Sequence, residues 1–285
     1  MYYGTDIYTK EKLYCDRRNL TNCTNRLICS IEVSESRYLM KQEMQSILKS
    51  GKDKVIIFTF YAKAYKDLIK KAKGKMIETN NASEIFDGII NSTERFICVS
   101  LSDPIDIQIE DYVSCLDAVK NALPHLQREG ETTWLYLEDN SVFYFASPMR
   151  VVDDIVKSAR TSGCTVTISS HNFSTLKDMC EKCSLGILEN MPFVTLLHLV
   201  TFSREAAVST YAGCFDKNSV SRLFDTEGEP KTGVILLPNE DKFRVFSYNI
   251  ADSKQNYYEY EYKPKERSGF VLGKSGKAKK VNQYD

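Results

Sequence analysis

The chain has 285 residues, with 38 lysines and arginines against 38 aspartates and glutamates, so its formal net charge is zero. That length buries one large core or two small ones, and a neutral balance excludes a long-range pull of the whole chain toward DNA or anionic lipid, leaving only local patches. The amino-terminal MYYGTDIYTKEKLY has no apolar core of a signal peptide, and the longest apolar run, Val55 to Ala62, is far short of the roughly 20 residues of a membrane helix, so a cytosolic protein, not integral to a membrane, is expected.

In chain order, apolar β-rich runs alternate with helix-patterned segments. Residues 26–30 (RLICS) predict a short strand and 36–48 a helix. Residues 54–60 (KVIIFTF) predict a second strand, followed by a lysine-rich helix near 65–73, and 95–101 (RFICVSL) a third strand. Val113, Leu116, Val119 and Leu123 recur at helical spacing over 110–123, and Pro124 should stop that helix. Then come a strand at 134–138, a helix at 149–160, a strand at 165–169, a helix at 174–182, and strands at 193–199, 233–237 and 242–248. Near-continuous apolar strands separated by helices predict an α/β fold, a mostly parallel sheet covered by helices on both faces. No internal repeat is present.

The nine cysteines are scattered and odd in number, which predicts reduced, mostly buried thiols rather than a disulfide framework. Cys180-Glu-Lys-Cys183 is a lone pair in a helix-like stretch, and with no second pair at finger spacing no metal site is expected. After about Ile250 the composition changes: 257–262 (YYEYEY) is aromatic and acidic, and 263–280 carries seven basic residues against one acid. Residues 251–285 are expected to form an extended or disordered tail, either solvated or in contact with nucleic acid or a membrane.

Residues 132–139 (TTWLYLED) predict a buried strand ending in two adjacent carboxylates, Glu138 and Asp139. Taken in order with other segments, this resembles the motor ATPase of conjugative type IV secretion, a HerA/FtsK-like P-loop protein, in the form carried by Gram-positive conjugative elements. Tyr2-Tyr3-Gly4 and Asp16-Arg17-Arg18-Asn19-Leu20 resemble that family's YYG and DRKNL segments. Thr133 to Asp139 resembles its TWxYIDE, and Lys157-Ser158-Ala159-Arg160 with Gly163 its KRxRKxGG. Residues 167–176 (TISSHNFSTL) resemble the stretch carrying its sensor glutamine, here His171. Leu188-Glu189-Asn190 with Val194 to Leu197 resembles a later strand of the family. The resemblance runs over about residues 2–250 and implies a RecA-like P-loop core as one motor domain, with a helical insertion trimmed between about 66 and 132.

The departures fall on the chemistry. Where the family has the phosphate loop G-x-P-G-S-G-K-S-F, this chain reads SIEVSESRY over 30–38, with Lys41 and Glu43 back in step. The glycine positions hold Ser30, Val33 and Glu35, the serine between the last two is Ser34, the lysine position is Ser36 and the hydroxyl position Arg37. A phosphate loop needs glycines so that backbone N–H groups approach the phosphates, a lysine to neutralise charge and a hydroxyl for magnesium. Glu32 and Glu35 are expected to face the place of a triphosphate, each opposing charge costing about 4 kcal/mol at ~4 Å and an effective dielectric near ~20. Glu138-Asp139 reverses the family's Asp-Glu, and the two acids are expected to cap the following turn or pair with Arg160. Thr59-Phe60 and Ala64-Tyr65 keep only the tyrosine of the family's DPxxEY. Gly51-Lys52 lies before its strand, and Gly273-Lys274-Ser275 lacks the upstream glycine, so neither is read as a phosphate loop.

Three functions follow. The first is a non-catalytic pseudo-ATPase, needing no cofactor, that contacts a type IV secretion motor or other conjugation proteins, alone or in an oligomer, in the cytoplasm or at the inner face of the membrane. The second is a divergent ATP- and magnesium-dependent motor subunit using Arg37, Glu138, Asp139 and His171. The resemblance also implies that Arg160 reaches a neighbour's nucleotide across a ring interface, a role that does not depend on the chain's own site being active. The third is a nucleic-acid-binding accessory protein acting through its basic tail.

Overall fold

Strand alternation divides the central strands between two cores. In a computed structural model, which describes residues 2–15, 17, 25–102, 107–138, 143–159, 161–224, 231–238, 240–248, 269–272 and 278–281, the elements follow in this order. They are β1 (Tyr2–Asp6), β2 (Lys12–Tyr14), β3 (Arg26–Cys29), α1 (Val33–Ser50), β4 (Lys54–Thr59), a 3-10 turn (Ala62–Tyr65), α2 (Lys66–Ala72), β5 (Lys75–Glu78), α3 (Ala82–Ile90) and β6 (Phe96–Ser100). There follow α4 (Ile109–Ala122), β7 (Thr133–Glu138), α5 (Ala146–Ser158), β8 (Cys164–Ser170), α6 (Phe173–Cys183), β9 (Phe193–Leu196), α7 (Thr201–Thr210), α8 (Lys217–Phe224), β10 (Thr232–Leu236) and β11 (Arg244–Ser247).

These strands form one eleven-stranded sheet in the order β2-β1-β11-β10-β9-β3-β8-β7-β4-β6-β5. From β9 to β5 every pairing is parallel, whereas β10, β11, β1 and β2 add an antiparallel flank. On one face α1 and α2 bury Leu39, Met40, Met44, Ile47 and Leu68 against Ile28, Val55, Ile57, Trp134 and Tyr136. On the other, α3 to α8 bury residues such as Ile85, Leu116, Val152, Leu176, Ala207 and Leu223 against Leu27, Ile56, Phe58, Leu135 and Leu137. Odd and even strand positions thus go to opposite cores, as the pleat requires.

The predicted helices and strands are present, with shifted ends and with further elements that the pattern did not predict; α5, for example, begins at Ala146 rather than 149 and β9 ends at Leu196 rather than 199. Helix α1 begins at Val33, three residues before the expected Ser36. Residues 66–132 hold two sheet strands, β5 and β6, besides helices, and β5 was not anticipated because KMIE is short and half polar. Helix α3 was also missed, although Asn81 caps it by accepting from the Ser83 and Glu84 amides, a signal present in the sequence. The β1–β2 pair and helices α7 and α8 complete the unexpected elements. Pro124 does end the regular helix: α4 stops at Ala122 and a 3-10 turn takes Leu123–Leu126.

Two of the resembling segments are structural. Gly4 lies in β1 at φ +155°, and a Cβ there would stand 2.5 Å from Phe246 and 2.8 Å from the Ser247 carbonyl, so glycine lets the flank close. Tyr3 and Arg17 meet at buried Glu43 on α1: the Tyr3 hydroxyl donates at 2.6 Å and Arg17 at 2.9 Å. Tyr136 donates to the other oxygen at 3.0 Å, and Arg26 lies 3.5 Å from it. Burial alone would raise the Glu43 carboxyl, but Arg17 and Arg26 outweigh it and bring it down to about 2.

The chain divides into two units, Met1–Lys254 and Gln255–Asp285. In the second, β12 (Gly269–Leu272) and β13 (Ala278–Val281) pair as an antiparallel hairpin; Gly273-Lys274-Ser275 and YYEYEY lie outside the described residues. Among the described residues no helix is long and apolar enough to cross a membrane.

Candidate functional site

In open α/β sheets, ligands bind outside the carboxyl ends of the strands, where a loop leads into a helix N-terminus. Here that place is the connection from β3 to α1, only Ser30, Ile31 and Glu32 long. Its amides are already engaged. Ser30 donates to the Ser170 carbonyl at 3.0 Å, Ile31 to the His198 carbonyl at 2.7 Å and Glu32 to the Ser30 hydroxyl at 3.2 Å. The Glu35 amide donates to the Glu32 carbonyl at 2.9 Å, closing the first turn of α1. With Val33 and Glu35 in place of glycine, the backbone winds into helix where a phosphate loop would stay open.

The side chains fill the rest. Glu35 is buried, accepting from the Ser30 hydroxyl at 2.8 Å and from the Lys231 ammonium at 2.6 Å. This corrects the expectation that Glu32 and Glu35 both present open charge toward a triphosphate: only Glu32 is exposed, and Lys231 neutralises Glu35. Ser36, at the lysine position, is buried and donates to the Val33 carbonyl at 3.0 Å, whereas Ser34 is exposed.

Arg37 spans the site. Trp134, Tyr136 and Glu138 alternate onto the α1 face of β7, as Val55, Ile57 and Thr59 do on adjacent β4. Arg37 Nε therefore reaches Glu138 Oε1 at 2.7 Å, and the Thr59 hydroxyl donates to Oε2. Both oxygens of the strand-tip acid thus accept from the protein. The cation that meets Glu138 comes from α1, because the pleat points Glu138 at that helix; the expected turn-capping or Arg160 pairing of the two acids falls outside the described residues. The Arg37 guanidinium also lies over the Tyr61 ring, 4.9 Å from its centroid. Burial works against the Arg37 charge, yet Glu138 overcomes it and holds the guanidinium above its ordinary range. One turn further on α1, burial and then Arg37 lower the Lys41 ammonium to about 8.

His171 follows β8 directly, its ring 5.3 Å from that of Tyr144 and near perpendicular to it. Asp139 and Arg160 lie outside the described residues. Cys180 is buried and Cys183 half-buried on α6, and no group of three or more His, Cys, Asp or Glu among the described residues is placed to hold a metal. Sequence reasoning missed Thr59, Tyr61 and Lys231 as parts of the site. The shared parity of 55, 57, 59 with 134, 136, 138 carried a signal for Thr59; Lys231 had none, since it meets Glu35 across 196 residues.

No protein-family model and no curated protein matches this sequence. Solved structures do. VirB4 of Thermoanaerobacter pseudethanolicus aligns with a TM-score of 0.71 at 12% identity, over 90% of this chain and 98% of that one. B204, the DNA-packaging ATPase of Sulfolobus turreted icosahedral virus, gives 0.51 at 14% identity, covering 78% and 95%. EccC (ATPases 2 and 3) of Thermomonospora curvata gives 0.54 at 11% identity, covering 87% of this chain and 40% of that one. With the mostly parallel sheet and its two helical layers, these show that the chain has a RecA-like α/β core with the fold of VirB4.

Proposed function

We propose that this chain is a non-catalytic relative of the type IV secretion motor, a pseudo-ATPase that keeps the motor fold for protein contacts in a DNA-transfer apparatus. The supporting observation is the buried Arg37–Glu138 ion pair, which puts a side-chain cation on the acid that a motor would offer to magnesium. The engaged amides of Ser30, Ile31, Glu32 and Glu35 support the same reading, since a phosphate bound there would need those donors. A domain of residues 1–250 carries this role, with 251–285 as an appended tail.

The partners are an active motor subunit or another conjugation protein, met in the cytoplasm at the inner face of the membrane. Exposed apolar side chains suit such contacts: Ile31 in the β3–α1 connection and Val200 are exposed, Phe145 is 50% and Phe202 77% exposed. Isothermal titration with MgATP tests the reading, and the expected result is no binding tighter than about 1 mM. A thermal scan gives a second readout. A ligand at ~100 times its Kd stabilises by about 2.7 kcal/mol, so a working site would raise the melting temperature by several degrees and this one leaves it unchanged. Micromolar binding overturns the proposal.

A further inference from the structure

The 3-10 turn and α2 run on without a break from Ala62 to Ala72, and Lys73 caps the carboxyl end. Ala62, Tyr65 and Leu68 are buried, with Ile69 and Ala72 packed half-buried on the same core. Helical spacing therefore sets Lys63, Lys66, Lys70 and Lys73 along the opposite face, and all four are exposed, as is Lys71. Between 63 and 75 the chain has six lysines, no arginine and one acid, Asp67. Among the described residues Lys66, Lys70, Lys71 and Lys73 have no ion-pair partner. In a chain of zero net charge, this is a concentrated positive stripe. Beside it, β5 is the last strand of the sheet and exposes Met76, 42% accessible, next to Lys75.

We infer that this stripe, with Met76, is the surface by which the chain lies on an anionic phospholipid bilayer. Lysine is a compact point charge on a long apolar stem, which suits a diffuse negative plane whose boundary accepts methylenes and a thioether. The ridge lacks what a nucleic acid would use. It has no arginine fork for phosphates and no exposed aromatic ring on which bases stack. The inference rests on the membrane-facing reading above and gives it a surface; it is independent of the filled nucleotide site.

The test is co-sedimentation of the full chain with phosphatidylcholine vesicles, with and without about 30 mol% phosphatidylserine, at about 50 mM and about 300 mM salt. Wild type is expected to bind only the anionic vesicles and only at low salt. Lys66→Gln/Lys70→Gln/Lys73→Gln is expected to lower the partition coefficient by at least about tenfold while melting at the wild-type temperature. A chain lacking residues 263–285 is expected to bind like wild type. Wild type that ignores anionic vesicles sinks the membrane-facing reading itself. Wild-type binding that survives the triple substitution, or disappears with the tail, overturns the stripe alone. Duplex DNA that displaces the vesicles and depends on the same lysines also overturns it, making the stripe a nucleic-acid contact.

Discussion

At the scale of single residues, the Arg37–Glu138 pair separates a filled site from a working one by stability rather than by rate. Removing one partner of a buried ion pair strands the other, at a cost of about 3–5 kcal/mol. Arg37 keeps a little exposure, so Arg37→Ala is expected to destabilise by about 3 kcal/mol in urea unfolding, and Glu138→Gln to destabilise in the same direction. Arg37→Met with Glu138→Met should return close to wild type, because apolar replacement of both partners removes the desolvation cost as well as the attraction. Lys41 gives a second signature. Its folded-state pKa of about 8 lies below the ordinary 10.5, so the unfolded chain holds more protons between those values. Stability from this group therefore rises as pH increases from about 8 to 10.5, and Lys41→Met should remove that rise from the unfolding free energy measured across the window.

Among the elements, α1 decides what the β3–α1 connection can do. Glycine disfavours a helix interior by about 1 kcal/mol relative to alanine, and this chain has none between Ser30 and Tyr38, so the helix starts at Val33 and closes over its own amides. The antiparallel flank depends on a different glycine. Gly4→Ala combines an unfavourable φ with a collision against Phe246 and the Ser247 carbonyl, and is expected to cost about 2–4 kcal/mol, read from the urea midpoint. Loss of the β1–β11 pairing from native-state hydrogen exchange, with β4, β7 and β8 still protected, would place the damage in the flank.

For the molecule as a whole, Glu43 joins the antiparallel flank, α1 and the parallel strands through Tyr3, Arg17 and Tyr136. Its folded-state carboxyl, at about 2, lies below the ordinary 4.5, so its stabilising contribution is complete above 4.5 and is lost as pH falls through about 2. Acid unfolding followed by circular dichroism should steepen across that window, and Glu43→Gln should be less stable at neutral pH with a flatter acid limb. A Glu43→Gln protein that matches wild type at both pH values would remove the buried acid from the forces holding flank to core.

The sequence by itself determined the parallel core. Runs such as KVIIFTF and TTWLYLED are apolar on both parities, so they can only be interior strands, and the helical spacing of Val113, Leu116 and Val119 fixed a covering helix. It also showed that residues 30–38 carry neither glycine nor lysine, because residue identity is local. What replaced them was a tertiary matter. Arg37 meets Glu138 across 101 residues and Lys231 meets Glu35 across 196, contacts that exist only because the sheet sets β3, β8, β7 and β4 side by side and brings β10 to the same end. Local pattern reports which face a side chain takes; the order of strands reports what stands opposite it, and that order alone turned a site expected to repel phosphate into one closed by its own ion pairs.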